Sequence, residues 1–272
     1  MPGLLEGKRT LVTVVLTNES LAYGVAQLAI AEGAQVVLTG AGRGMSLTRR
    51  MAKRLGLDGE ADVYEWDVTL PEHGQAVAAA LESRWGGVDA ALHAIGFAPG
   101  SCLGGGFLEA PWEDVAVALH ISTYSLKEVA GSLAPLLKAA GGGSVVGLDF
   151  DATVAWPAYD WMGVAKAALE SASRYLARDL GPADIRVNLV AAGPLRTVAA
   201  RSIPGFAEIE AVWAGQAPLG WDVDDPEPAA RAVVALLSDW FPATTGEIVH
   251  VDGGAHAMGA PVRQITAPEP TT

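Results

Sequence analysis

The sequence predicts an α/β fold in which helices cover both faces of a parallel sheet of about seven strands. Apolar runs rich in β-branched residues alternate with segments of helical period, which is the pattern of parallel βαβ units. Gly33, Gly141 and Gly181 follow the ends of three of the helical segments, where glycine commonly ends a helix. No Pro/Ser-rich or charged linker interrupts the 272 residues, so we expect one domain over residues 1–272.

The predicted elements alternate from the first strand onward. The strands are expected at Thr10–Leu16, Gln35–Thr39, Val63–Trp66, Ala90–Ile95, Ser144–Leu148, Arg186–Ala191 and Glu247–Val251. The helices are expected at Leu21–Glu32, Met45–Leu55, Gly74–Arg84, Trp112–Ala139, Tyr159–Leu180 and Glu227–Ser238. This order indicates a doubly wound, Rossmann-like sheet, in which ligands bind at the carboxyl ends of the strands.

Composition excludes several classes of protein. Half of the residues are hydrophobic, yet no uninterrupted apolar run approaches the roughly 18 residues that span a bilayer. The net charge of −13 argues against a nucleic-acid or anionic-membrane surface. Lys8 and Arg9 interrupt any signal-peptide pattern at the N-terminus, so we expect a cytoplasmic protein. Cys102 is the single cysteine, and we expect neither a disulfide nor a metal site.

Tyr159 and Lys166 stand seven residues apart at the start of a predicted helix. Seven residues make nearly two helical turns, so both side chains would project from one face. A phenol in that position can meet a reacting oxygen, while a nearby ammonium holds a ribose and lowers the phenol's pKa. The pair therefore indicates a reductase, although a Tyr and a Lys on one helix face also occur as ordinary core edge and surface.

The first strand-to-helix turn has the features of a dinucleotide site, with one exception. Ser20 precedes Leu21 as an N-cap that can contact a phosphate at the helix N-terminus. No G-x-G-x-x-G occurs in the turn, and Val14 occupies the place where close backbone approach is wanted. The glycine-rich stretch 40–44 follows the second strand instead, and we interpret it as a loop.

The ends of the next strands give further cofactor candidates. Arg43 follows the second strand, where an arginine favours the 2′-phosphate of NADP and an acid would favour NAD. Asp67 ends the third strand and could hold an adenine edge, or form an ordinary Asx turn. Gly96 follows the fourth strand, where a cofactor can lie against its backbone.

These residues together resemble the enoyl-acyl-carrier-protein reductases of the short-chain dehydrogenase/reductase superfamily, closest to the mycobacterial type that is the isoniazid target. The likeness runs roughly from Gly3 to His256. Its markers are Gly7–Arg9, Leu38–Gly40, His93–Phe97, His120–Ser122, Gly147–Asp151, Pro157–Lys166, Asn188–Pro194 and Ala243–Gly246. The serine that carbonyl reductases of the superfamily use is absent, since Val146 stands 13 residues before Tyr159.

The resemblance implies NAD(P)H-dependent reduction of the trans-2 double bond of an enoyl thioester, linked to acyl-carrier protein or CoA, in fatty-acid or related acyl biosynthesis. NADH is the favoured cofactor and NADPH the alternative. Tyr159 would stabilise the enolate, Lys166 would bind the nicotinamide ribose, and Phe150 would pack beside the nicotinamide. The implied cofactor-binding residues are Ser20, Leu21, Asp67, Val68, Ala94, Ile95, Gly96, Lys166, Pro194, Leu195 and Thr197.

The acyl group is expected against a substrate-binding loop at about 197–221. The candidate substrate-binding residues are Phe97, Trp156, Tyr159, Ala200, Ile203, Phe206 and Trp213. Each aromatic residue among them equally fits a plain core position. The resemblance also implies a homotetramer, and the Pro/Thr-rich tail at about 264–272 is expected to be mobile.

Three departures from the family pattern motivate an alternative function. Val14 replaces a glycine, Ala94 replaces a serine, and Ala41 replaces a larger residue that can cover the adenine. The segment 197–221 is also shorter than in the mycobacterial type. The alternative is a repurposed enoyl-reductase-like protein of a secondary-metabolite pathway with weakened or lost dinucleotide binding, acting as a non-redox catalyst, ligand binder or partner subunit.

Overall fold

The protein is built on one parallel sheet of seven strands, as the sequence predicts. The computed structural model describes residues 2–201 and 203–262, without the side chain of Ala199. The expected mobile tail at 264–272 lies outside the described residues. The strands are β1 (Arg9–Thr13), β2 (Gln35–Gly40), β3 (Val63–Glu65), β4 (Ala90–His93), β5 (Gly143–Asp149), β6 (Ile185–Ala192) and β7 (Ile248–Val251).

The strand order reverses in the middle of the sheet. It runs β3-β2-β1-β4-β5-β6-β7, so the chain crosses from one half of the sheet to the other between β3 and β4. β1 pairs with β2 on one side and with β4 on the other, which places the switch point at the carboxyl end of β1. Open α/β sheets bind ligands in the crevice outside this point.

Helices cover both faces of the sheet. They are α1 (Leu21–Ala31), α2 (Met45–Arg54), α3 (Pro71–Trp85), α4 (Trp112–Leu119), α5 (Ser125–Ala139), α6 (Asp160–Leu180), α7 (Val198–Arg201), α8 (Phe206–Gln216) and α9 (Glu227–Leu237). The predicted helix 112–139 is divided, because the five residues His120–Tyr124 form a π-helical segment between α4 and α5. The predicted loop 197–221 contains the two helices α7 and α8.

Two hydrophobic clusters fill the two faces. Val36 and Leu38 belong to the cluster under α1, α2 and α9, whereas Val37 between them belongs to the cluster under α3, α5 and α6. Alternation of this kind follows from the two-residue period of a strand. Both faces of the sheet are therefore covered by apolar side chains, which explains why the strand sequences are nearly continuous apolar runs.

Backbone conformation explains where some elements end. β1 stops at Thr13 rather than Leu16, because Val14 has a φ of 54° and leaves the extended region. Gly33 and Gly141 follow α1 and α5 with φ of 91° and 88°, as helix-ending glycines do. Gly181 is the C-cap of α6, as predicted, but its φ is −54°, and the chain turns left-handed only at Asp184. Among the described residues, no helix combines the length and apolar character that a membrane crossing requires.

Candidate active site

A cavity of about 330 Å³ opens at the carboxyl ends of β4, β5 and β6. It extends from the first residue of α1 to the start of α6, and α7 and α8 close one side. Fourteen of the residues named from the sequence line it: Leu21, Ala94, Ile95, Gly96, Phe97, Phe150, Tyr159, Lys166, Pro194, Leu195, Thr197, Ala200, Ile203 and Phe206. The residues named from distant parts of the chain thus meet at the switch-point end of the sheet.

Tyr159 is the residue directly before α6 rather than part of the helix. Its two neighbours, Ala158 and Asp160, both have positive φ, 57° and 39°. Such conformations cost an L-residue about 1–2 kcal/mol and persist only where the surroundings hold them. Here the loop at 104–105 holds them, because Gly104 N donates to Ala158 O (2.9 Å) and Gly105 N donates to Asp160 Oδ2 (2.6 Å). The phenol is thereby fixed in the cavity wall.

Lys166 lies in the second turn of α6 and is buried, with 7% of its surface exposed. Its Nζ donates to Leu148 O at 2.9 Å, which anchors the ammonium at the end of β5. Burial lowers the pKa of Lys166, and the nearby Asp149 carboxyl partly opposes this. Burial also raises the pKa of Tyr159 far above its ordinary value, and the charge of Asp149 adds to the rise. The phenol therefore keeps its proton and can donate a hydrogen bond to an oxygen that becomes negative.

Asp149 also lines the cavity, and the sequence did not single it out. It is the last residue of β5 and is 7% exposed, yet neither carboxyl oxygen has a hydrogen-bond partner. Burial raises its pKa to about 7, while the Lys166 ammonium acts in the opposite direction. The one available sequence signal was an acid directly after the buried strand Ser144–Leu148. Met162, Leu103 and Ile209 are further lining residues that the sequence did not suggest.

Phe150 connects the cavity to an aromatic cluster behind it. Its ring lies 5.0 Å from that of Tyr159, 5.7 Å from Trp156 and 5.4 Å from Trp213. Trp156 and Trp213 pack together at 4.7 Å and are not among the lining residues. Trp213 is 1% exposed. Both pack against Phe150, Trp213 as a buried residue and Trp156 as a half-buried one, and their place in the acyl groove stays a prediction.

The N-terminus of α1 meets the other end of the cavity. Ser20 caps this helix, since its Oγ accepts from Tyr23 N (3.2 Å) and donates to Thr17 O (2.8 Å). Leu21 lines the cavity and Ser20 does not. Across from it, Thr197 Oγ1 accepts from Ala200 N (3.2 Å) at the start of α7. The positive end of the α1 dipole and its free N–H groups suit an anionic group at this position.

The adenine-side candidates lie outside the cavity lining. Asp67 Oδ1 accepts from the Thr69 amide (2.9 Å) and hydroxyl (2.7 Å), so its side chain forms the Asx turn that the sequence allowed. These bonds, chiefly the Thr69 hydroxyl, lower the pKa of Asp67. Val68 beside it is buried. Neither residue is among those that line the cavity, so any contact they make with a ligand falls beyond its edge.

Val14 occupies a position that suits glycine. Its φ of 54° is in the left-handed region, which a β-branched residue enters rarely and at a cost. The amide of Val14 donates to Thr39 O at 2.9 Å, so the hydrogen bond between β1 and β2 holds this conformation. The half-buried side chain packs on the cluster under α3, α5 and α6. The turn therefore carries a valine in a backbone conformation that glycine adopts more readily.

Comparisons with known proteins agree with this geometry. The family model described as enoyl-(acyl carrier protein) reductase matches residues 15–256. An enoyl-[acyl-carrier-protein] reductase [NADH] of Mycolicibacterium smegmatis is 46% identical, covering 94% of this chain and 98% of the relative. The enzyme of that name from Mycobacterium avium is 44% identical over 94% and 98%, and FabI of Aquifex aeolicus is 40% identical over 94% of each. The resemblance to the mycobacterial type is confirmed, and the chain belongs to the enoyl-acyl-carrier-protein reductase family.

Proposed function

We propose that the protein reduces the trans-2 double bond of an enoyl thioester with NADH, in fatty-acid or related acyl biosynthesis. The observation that carries this proposal is that the buried, protonated Tyr159 phenol and the buried Lys166 ammonium line one cavity, which reaches the N-terminus of α1. The relatives at 40–46% identity carry this activity in their names. A neutral hydrogen-bond donor and a positive charge in the same cavity suit an enolate oxygen.

The residues present fit a dinucleotide. The helix N-terminus at Leu21 suits the pyrophosphate, and the buried ammonium of Lys166 suits the hydroxyls of a ribose. Gly96 presents backbone without a side chain between these two points. Ala94, Ile95, Pro194, Leu195 and Thr197 would complete the walls, with Ser20 near the pyrophosphate and Asp67 and Val68 at the adenine.

The cofactor assignment favours NADH over NADPH. Arg43 alone would favour a 2′-phosphate, but the Glu65 carboxylate accepts from Gly42 N at 3.3 Å and stands beside the same strand end. A carboxylate there repels a phosphate and accepts ribose hydroxyls. The names of the relatives specify NADH.

Bound NADH supplies the hydride that adds to the β-carbon of the substrate. Tyr159 then donates a hydrogen bond to the thioester oxygen as it becomes an enolate oxygen, and Lys166 holds the ribose and adds positive potential. Phe150, held by Trp156 and Trp213, keeps water from one side of the reacting group.

The acyl chain would lie against the apolar side of the cavity formed by Phe97, Ala200, Ile203 and Phe206. The carrier is acyl-carrier protein, with CoA as the alternative.

We also propose a cytoplasmic homotetramer that binds neither nucleic acid nor membrane. Burial of the exposed Trp112 and Tyr124 (68% and 49%) in an interface would remove large apolar side chains from water.

The test is NADH oxidation in the presence of a trans-2-enoyl thioester, by the wild type and by Tyr159→Phe. We expect turnover to fall at least about 10²-fold, the scale of a lost oxyanion donor, with NADH affinity nearly unchanged. Tyr175→Phe is the matched control, because Tyr175 lies on α6 but is 60% exposed and does not line the cavity. Equal rates for wild type and Tyr159→Phe would refute the assignment.

The strained Val14 favours a second candidate, in which dinucleotide binding is weakened or lost. A fluorescence titration with NADH and, in parallel, NADPH separates the two. Micromolar binding of either nucleotide supports the reductase, whereas no binding at millimolar concentration, with or without an acyl thioester, supports the repurposed protein.

A further inference from the structure

The backbone on both sides of Tyr159 is strained. Ala158 and Asp160 have φ of 57° and 39°, although neither is a glycine. Residues other than glycine enter this region rarely, and they stay there only where the surrounding structure holds them. Strain of this kind is concentrated at active sites, so the contacts that hold Ala158 and Asp160 are the first place to look for a further part in catalysis.

Two segments from distant parts of the chain hold the strained backbone. On one side, Gly104 N donates to Ala158 O at 2.9 Å. In the same segment, Gly105 N donates to Asp160 Oδ2 at 2.6 Å. On the other side, a Cβ built on Gly205 would lie 3.1 Å from Ala158 Cβ, so this second segment also packs directly on the strained backbone. The phenol is therefore attached to a backbone that is held from two directions.

The two holding segments also form part of the cavity wall. Leu103 belongs to the first segment, Ile203 and Phe206 belong to the second, and all three line the cavity. The segments also touch each other, since a Cβ built on Gly104 would lie 3.3 Å from Pro204 Cβ. A ligand that packs on Leu103 or Ile203 thus contacts the same segments that hold the backbone of the phenol.

Asp160 makes its contact with the first segment through its side chain. Aspartate tolerates a positive φ better than most residues, because its short polar side chain can bind nearby backbone groups. In this case the bond reaches Gly105, which is 55 residues away in the sequence. Asp160 is also the first residue of α6, the helix that carries Lys166. It therefore connects the loop at Gly105 to the point where the chain passes from Tyr159 into the helix.

We propose that Asp160 is a positioning residue for the reduction: by accepting from Gly105 N, its carboxylate holds the Tyr159 phenol at the point where the enolate oxygen forms. This inference rests on the proposed function. Asp160 does not line the cavity, so it acts through Tyr159 and exchanges no proton with the substrate. A donor is effective only in the productive geometry, and a displacement of about 1 Å can cost about 10²-fold in rate.

Three substitutions separate the hydrogen bond from the other properties of Asp160. Asp160→Asn removes the negative charge, which also suits the N-terminus of α6, but keeps an oxygen that can accept from Gly105 N. Asp160→Gly removes the acceptor but adopts the positive φ without strain. Asp160→Ala removes the acceptor and keeps the strain. Asp225→Ala is the matched control, because Asp225 Oδ1 also accepts a backbone N–H at the start of a helix, from Glu227 at 2.9 Å, and Asp225 does not line the cavity.

For each protein we would measure kcat, KM for the enoyl thioester, the NADH dissociation constant and the unfolding temperature. We expect Asp160→Ala and Asp160→Gly to lower kcat about 10-fold to 10²-fold with NADH affinity unchanged. Asp160→Asn and Asp225→Ala should keep a kcat close to that of the wild type. A wild-type kcat in Asp160→Gly would overturn the proposal, because relief of strain alone would then be enough. Asp160→Asn as slow as Asp160→Gly would also overturn it, and these two variants decide the question if Asp160→Ala does not fold.

A double-mutant cycle with Tyr159→Phe shows whether Asp160 acts through the phenol. Once the hydroxyl is gone, Asp160→Gly should lower the remaining rate less than about twofold, although it lowers the rate of the wild type at least about tenfold. Equal fold-losses in the two backgrounds would overturn the role of Asp160 alone. No enoyl turnover by the wild type would refute the proposed function, and this inference with it.

Discussion

Adding one methyl group at Gly96 should weaken cofactor binding without disturbing the fold. A Cβ built on Gly96 lies 3.4 Å from Met162 Cε and 4.0 Å from Ser122 Oγ, which are ordinary contacts. Gly96 is not among the glycines with positive φ, so alanine can adopt its backbone conformation. Replacing such a glycine restricts the unfolded chain and stabilises the protein by about 0.4–1 kcal/mol.

The cofactor would meet the same methyl group inside the cavity wall. Forcing an extra methyl into a packed contact costs about 1–3 kcal/mol, which corresponds to NADH binding about 5-fold to 150-fold weaker. The assay is a fluorescence titration with NADH, accompanied by thermal unfolding of the same sample. Gly100→Ala is the matched control, because a Cβ added there would have nothing within 4 Å and the residue does not line the cavity.

The comparison separates a cofactor site from a structural glycine. We expect Gly96→Ala to unfold at the same or a higher temperature than the wild type while binding NADH more weakly, and Gly100→Ala to bind normally. Unchanged NADH affinity in a folded Gly96→Ala protein would refute the placement of the cofactor along this backbone.

Two further predictions concern the strained turn and the buried carboxyl. Val14→Gly removes the backbone strain of a valine in the left-handed region, which costs about 1–2 kcal/mol. It also removes the packing of a half-buried side chain. We therefore expect a denaturant-unfolding free energy within about 1 kcal/mol of wild type and tighter NADH binding; weaker binding would contradict the crowding argument. Asp149 has a folded-state pKa of about 7 against an ordinary 3.8, so the folded state binds the extra proton. The contribution of Asp149 to stability should be full below about pH 4 and be lost, by at most about 4 kcal/mol, as the pH rises through about 7. Asp149→Asn should lack this loss in thermal melts, and parallel pH curves for the two proteins would refute the raised pKa.

The sheet could be predicted because each strand is a recognisable run of apolar residues in the sequence. β2 begins at Gln35 as predicted, and its apolar run is the same whichever face of the sheet it packs on. The end of β1 could not be predicted, because the run from Thr10 continues to Leu16 while φ at Val14 is set by the hydrogen bond to Thr39.

The site residues that belong to a sequence motif could be predicted, whereas those that depend only on three-dimensional packing could not. The spacing of Tyr159 and Lys166 predicts that they share a cavity, and both line it. Trp213 was expected in the groove, but composition does not distinguish an aromatic residue in a cavity wall from one packed behind Phe150. The carboxyl of Asp149 has no hydrogen-bond partner because of how β4, β6 and α6 pack around it. These elements are distant in sequence, so no local sequence pattern predicts this.

Transfer of deuterium from [4,4-²H₂]NADH to a trans-2-enoyl thioester tests the central claim most directly. The product is isolated after complete reaction and the label is located by mass spectrometry and NMR. A hydride step in this cavity predicts a saturated thioester with one deuterium at the β-carbon and none at the α-carbon, since the α-proton comes from an exchangeable group. Deuterium at the carbonyl carbon, or an unlabelled product, would contradict an enoyl reductase.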